Sequence, residues 1–269
     1  MAERGERGFA LLIVLWTLVL VAFIVVRLTA AGRTEIRIAD NLIVNAQADA
    51  AVDGAIYQTV FDVAAQRAAL DGRPRKIVLG GTDVTVWPFD EAARINPNLA
   101  SPALLAALFE ATGSDPQSAR QLTAAIGEWI GKPVTARPDA AVAADYRAAG
   151  RTYLPPGSAL QSLDELGRVL GMNAAVLAAV RPHLSLFSGA IPRVAHADAV
   201  VLAALAAVAA SGATGVPPPR PDSPAVQTAR LVAVARGPGN AAVTRTAVVR
   251  IDPRLPGGYA VLGWDAATE

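Results

Sequence analysis

The chain has 269 residues, a formal charge of +1, two histidines and no cysteine. That length allows one or two domains with a real core. The near-zero charge supplies no global field for nucleic acid or anionic lipid, and the histidine and cysteine counts leave little material for zinc or thiol chemistry. The lack of cysteine lets an exported domain fold without disulfides but does not fix a compartment.

A short charged leader, MAERGERG, precedes the run Phe9 to Val26, which is apolar except for Thr17 and carries no charge. About 18 residues at ~1.5 Å each give roughly 27 Å, close to a bilayer's hydrocarbon core. The run is expected to be a membrane-spanning helix over residues 9–30. A secretory signal would be shorter and would need a small-residue cleavage site, which Ala30-Ala31-Gly32 imitates. Orientation cannot be taken from charge: Arg4 and Arg7 lie beside Glu3 and Glu6, while Arg27, Arg33 and Arg37 follow the run.

From Ala30 to about Ala69 the sequence predicts continued helix. Ile38, Leu42, Val52, Ile56, Val60 and Val63 recur at helical spacing, and this stripe should pack on a sheet. Asp71-Gly72-Arg73-Pro74 is the expected stop. Strands are predicted at 76–79 and 83–87, with Gly80-Gly81 as a hairpin turn. From Asn98 to about Phe187 the pattern is helical. Ser101-Pro102 and Asp115-Pro116 each give an N-cap followed by Pro at the first helical position. Ser162 to Glu165 is a capping box for a helix ending at Gly171, Asn173 caps another to about Val180, and His196 to Ala210 is a further helix. A Pro-rich linker, 213–225, precedes three predicted strands, 226–235, 241–251 and 259–264. A helical block between strands of one small sheet reads as an insertion into an α+β domain.

The leader ends in Arg7-Gly8 and the apolar run begins at Phe9, which resembles a type IV prepilin signal. In that family the cut falls after Gly, before the apolar segment, which survives as the anchor. Pilins usually carry Glu at the fifth mature position; here that position is Ile13. A carboxylate in the bilayer costs about 2.5–3.5 kcal/mol, so it is kept only for a purpose. Its absence is similar to the K-type minor pseudopilin of type II secretion. That family's insertion opens with Asp or Asp-Glu and then Ile-Asn-x-Asn, matched here by Asp90-Glu91 and Ile95-Asn96-Pro97-Asn98. Tyr153, Ser162, Glu165, Leu166, Gly171 and Met172 follow in the family's order.

The resemblance implies a pilin-like α+β fold. Its parts would be a leader (1–8), a transmembrane helix (9–30), a first pilin-like part of helix and strands (31–97), an inserted α-helical domain (98–212), the linker (213–225) and a second, strand part (226–269). It implies cleavage between Gly8 and Phe9 by prepilin peptidase, and N-methylation of Phe9. Assembly with I- and J-type minor pseudopilins at a pseudopilus tip would follow, on a single-pass inner-membrane protein with its C-terminal domain in the periplasm. A type IV pilus minor pilin and a membrane-anchored helix-hairpin-helix DNA-binding protein are the alternatives.

K-type relatives can bind calcium through an acidic loop after a Trp. Here the loop reads Glu128-Trp129-Ile130-Gly131-Lys132-Pro133, and only Asp139 and Asp145 remain as candidate ligands, short of the six to eight oxygens calcium takes. No cofactor and no nucleic acid are expected. The hairpin turns Gly113-Ser114-Asp115 and Gly171-Met172-Asn173 lack the basic support that phosphate binding needs, since Asp164 and Glu165 offset Arg168 and Arg181. His183 and His196 have no Ser or acid at a recognisable motif spacing, so no catalysis is expected. Trp16 should meet lipid or a partner helix, whereas Trp87, Trp129 and Trp264 should be core.

Overall fold

A computed structural model describes residues 3–134, 137–212, 226–236 and 242–267, with the side chains of 3–10, 28–38 and 266–267 left out of the description. The Pro-rich linker and the Gly237–Asn240 turn lie outside the described residues.

One helix, α1 (Glu3–Ala64), begins the chain. Five strands follow: β1 (Arg75–Leu79), β2 (Thr82–Asp90), β3 (Gln227–Arg236), β4 (Ala242–Ile251) and β5 (Tyr259–Ala267). They form one sheet in the order β1-β2-β3-β4-β5, every neighbouring pair antiparallel. Gly80 and Gly81 make the β1–β2 turn with φ of 56° and 81°. Two successive positive φ values suit the right-handed strand twist, and glycine adopts them at no steric cost.

The C-terminal half of α1 packs on the sheet. Val52, Ile56, Val60 and Val63 are buried against Val84 and Val86 of β2 and Val249 and Ile251 of β4. On the central strand β3 the inward residues are Ala229, Leu231, Ala233 and Ala235, all buried. Three alanines in four positions let the helix sit close to the sheet and keep the layer dense. Arg245 of β4 staples the helix down, its guanidinium 2.8 Å from Asp49 and 3.1 Å from Asp53. These two carboxylates thus join the helix to the sheet.

Several boundaries differ from the sequence expectation. The packed stripe starts at Ala48; Leu42 is exposed, and the Ile38 side chain lies outside the described residues. The helix ends at Ala64 rather than near Ala69. Gln66 takes φ of 57°, and the Arg67 amide turns back to the Asp62 carbonyl at 2.7 Å while its side chain pairs with the Asp62 carboxylate. Gly72 serves a different purpose from stopping the helix, since a Cβ there would lie 2.9 Å from the Phe89 ring.

Between β2 and β3 the chain is helical: α2 (Pro102–Ala111), α3 (Pro116–Trp129), α4 (Asp139–Ala148), α5 (Ala174–Val180) and α6 (Ala199–Ala210). Ser101 accepts from the Leu104 amide at 3.3 Å, and Asp115 from the Gln117 and Ser118 amides at 3.0 Å, so both predicted caps are made. The predicted capping box also forms, with Ser162 and Glu165 each accepting an amide of the other's turn. It opens a 3-10 helix, Leu163–Arg168, that stops well before Gly171. Leu163, Leu166 and Val169 all meet the helical core at a spacing of three, which a 3-10 helix keeps on one face. His196 belongs to a separate 3-10 turn, and α6 begins only after its Asp198 cap.

Candidate functional site

The N-terminal run presents apolar side chains outward. From Leu11 to Val26 the large ones are 47–72% exposed, Ile13 and Trp16 among them. The hydroxyl of Thr17, the one polar residue, donates to the Ile13 and Val14 carbonyls at 2.9 Å, so it asks nothing of its surroundings. The backbone is helical across the run, yet among the described residues no helix is long and apolar enough to cross a membrane. Gly8 and Phe9 are helical in backbone, and the Phe9 side chain lies outside the described residues.

The Ile95-Asn96-Pro97-Asn98 motif is a structural clasp. The Asn96 side-chain amide donates to the carbonyls of Leu186 (3.1 Å) and Ser188 (2.7 Å), and its oxygen accepts from the Asn98 amide at 3.0 Å. Asn98 makes a reciprocal pair with the backbone of Leu160, at 3.0 and 2.8 Å. Ile95 adds two backbone bonds, receiving from Ser185 and giving to His183. The way into the helical segment is therefore zipped to the way out.

The candidate metal ligands are otherwise engaged or dispersed. Arg137 lies between Glu128 (3.0 Å) and Asp145, bonded to both, and Asp139 opens α4. Among the described residues no group of three or more acids, histidines or cysteines could hold a metal. The acidic spacing gives no sign of Arg137, whose place between Glu128 of α3 and Asp145 of α4 appears only in the fold.

Both hairpin turns line one open cavity of about 380 Å³, with Gln121 and Leu170. Asp115 is its one charged residue. Hydrogen bonds from the Ser118 side chain and the Ser118 and Gln117 amides hold its carboxyl below the usual carboxylate value, so the cavity mouth is anionic at neutral pH. A phosphate would be repelled there.

His183 shares a 2.7 Å hydrogen bond with Asp198, a partner the sequence spacing did not reveal. Burial pushes the Asp198 carboxyl up, but the bond to His183 and the amides of Val201 and Val200 outweigh it and leave the carboxyl lowered. Among the described residues no hydroxyl is bonded to His183: Ser185 accepts from the Phe187 amide, and Ser188 donates to the Ser185 carbonyl. The pair ties the clasp segment to the α6 cap.

Trp129 is core, as expected, and forms an aromatic cluster with Tyr146 and Tyr153 at centroid distances of 6.1–6.4 Å. Tyr146 accepts the Leu170 amide at 3.3 Å, and Tyr153 donates to the Arg168 carbonyl at 3.2 Å, which explains the tyrosine in the motif order. Trp264 is half-buried, stacked on Tyr57 of α1 at 5.6 Å. Trp87 departs from the expectation: it is half-buried and alternates away from Val84 and Val86, which face α1.

A family model described as "Type II secretion system (T2SS), protein K" matches residues 89–189. The fold is similar to a chain from the crystal structure of the GspK-GspI-GspJ complex of the enterotoxigenic Escherichia coli type 2 secretion system. The TM-score is 0.57 and the identity 16%, over 88% of this chain and 99% of that one. No curated protein sequence matches. The matched segment opens at Phe89, one residue before the end of β2, and takes in the clasp, the aromatic cluster and the capping box. The chain is thus similar to protein K over residues 89–189, and its fold is similar to that of the crystallised chain over most of its length.

Proposed function

We propose that this GspK-like chain is a minor pseudopilin of type II secretion, placed at the tip of the pseudopilus. The observation that carries the reading is the protein K segment set between adjacent strands of a sheet that packs on a long N-terminal helix. The role is mechanical rather than catalytic: the chain initiates or caps a filament that drives folded proteins through the outer membrane. I- and J-type minor pseudopilins are its partners, a reading supported by the assembly in which the similar chain was crystallised.

In this reading Phe9 to Val26 is a single inner-membrane span, the remainder is periplasmic, and prepilin peptidase cuts between Gly8 and Phe9 and methylates Phe9. The outward apolar side chains from Leu11 to Val26 support the span, because they find no cover among the described residues. Ile13, in place of the usual Glu, fits a subunit with no neighbour above it.

A type IV pilus minor pilin would lack the protein K segment. A DNA-binding protein would need a basic face where the hairpin cavity carries Asp115. The reading calls for no calcium, since Arg137 already supplies the positive charge between Glu128 and Asp145. Thermal stability is therefore expected to be the same in calcium and in chelator; a rise in melting temperature with calcium would contradict this. Deleting the gene is expected to strand type II substrates in the periplasm, with rescue by the intact chain. Undiminished secretion into the medium would count against the assignment.

A further inference from the structure

The described residues form two hydrophobic cores with no residue in common, one between α1 and the sheet and one inside the inserted helices. At the end of β2, where the chain passes from one to the other, the link is ionic. Asp90 and Glu91 are consecutive, and both side chains are fully buried. Asp90 receives Arg193, on the returning segment, at 3.0 Å and caps the Ala92 amide at 3.0 Å. Glu91 receives Arg230 of β3 at 2.6 Å and has Arg94 at 3.8 Å. The Arg193 amide also donates to the Ala92 carbonyl at 2.7 Å. One carboxylate thus grips the insertion's exit and the next grips the sheet.

Stability alone would not select this arrangement. Glu91 Oε2, Arg94 Nη1 and Arg230 Nε are buried without a hydrogen-bond partner. Apolar side chains of similar volume hold a junction as well as, or better than, an incompletely satisfied buried ion pair. What the charged groups add is direction: a guanidinium–carboxylate contact has one good geometry, whereas an apolar contact slides.

We propose that Asp90 and Glu91, with Arg193 and Arg230, form an orienting clamp that fixes the angle of the inserted helical domain relative to the sheet. Its output is a single orientation rather than added stability. In a filament subunit, that rigidity lets displacement of the sheet move the inserted domain as one body.

The chain has no cysteine, so two introduced spin labels report without interference. Val78→Cys on β1 and Leu154→Cys in the insertion are suitable positions, 64% and 51% exposed. Electron–electron distance measurements on the full chain in detergent are expected to give one narrow distribution. In the triple variant Glu91→Met, Arg94→Met, Arg230→Met the width should at least double, with helix content and melting temperature retained. Arg193→Met should broaden the distribution by itself, through the other arm. A parent-like width in both variants would overturn the proposal. Loss of the fold in the triple variant would also overturn it, by making the cluster a stability element.

Discussion

Asn96→Ala is expected to destabilise the inserted domain by several kcal/mol. Asn96 is 2% exposed and makes three hydrogen bonds, two of them to carbonyls on the far side of the insertion. Removing the side chain leaves the Leu186 and Ser188 carbonyls and the Asn98 amide without that partner in a largely buried site. Each such group costs about 1–3 kcal/mol, so the sum is on the order of 3–9 kcal/mol. Asn96→Asp should do little better, because a carboxylate would face two carbonyl oxygens with no proton to give. Asn98→Ala should cost less, since Asn98 lies nearer the surface and its side chain bonds one residue, Leu160. Urea unfolding followed by tryptophan fluorescence checks this, with Trp129 inside the affected core. A loss under ~1 kcal/mol for Asn96→Ala would mean that the clasp is a consequence of the fold rather than a cause.

Gly8→Val is expected to abolish processing altogether. The resemblance puts the cut between Gly8 and Phe9, so a β-branched side chain would stand at the scissile bond. The parent chain should yield a mature N-terminus at methylated Phe9, and the variant should keep the leader. Mass spectrometry of the membrane-associated protein distinguishes them. An identical mature N-terminus in both would remove the prepilin reading while leaving the fold untouched.

The features legible in the sequence were local ones. Ser101-Pro102, Asp115-Pro116, Asn173 and Gly80-Gly81 act over three or four residues, and each does in the fold what its chemistry dictates. The 3.6-residue stripe from Val52 to Val63 was legible for the same reason. What the sequence concealed is made by residues far apart. Arg193 meets Asp90, Arg245 meets Asp49, and His183 meets Asp198 only after the insertion closes. The Ile-Asn-x-Asn motif could be recognised as a signature, but its role as a clasp depends on Leu186 and Ser188. The end of α1 was misplaced because Gly72 and Pro74 look like a stop, while the chain turns at Gln66 through a backbone bond to Asp62. The 3-10 turn at Val194–His196 was hidden by the uniform alanine character of the following helix.

The central claim is that the chain works as a K-type subunit in company with I- and J-type minor pseudopilins. Its most direct test is to co-express the full chain with the I- and J-type proteins of the same cell, purify through a tag on this chain, and size the product. A stoichiometric three-protein complex is the expected result, lost when the I-type protein is omitted. A folded chain that elutes alone in the presence of both partners would contradict the account.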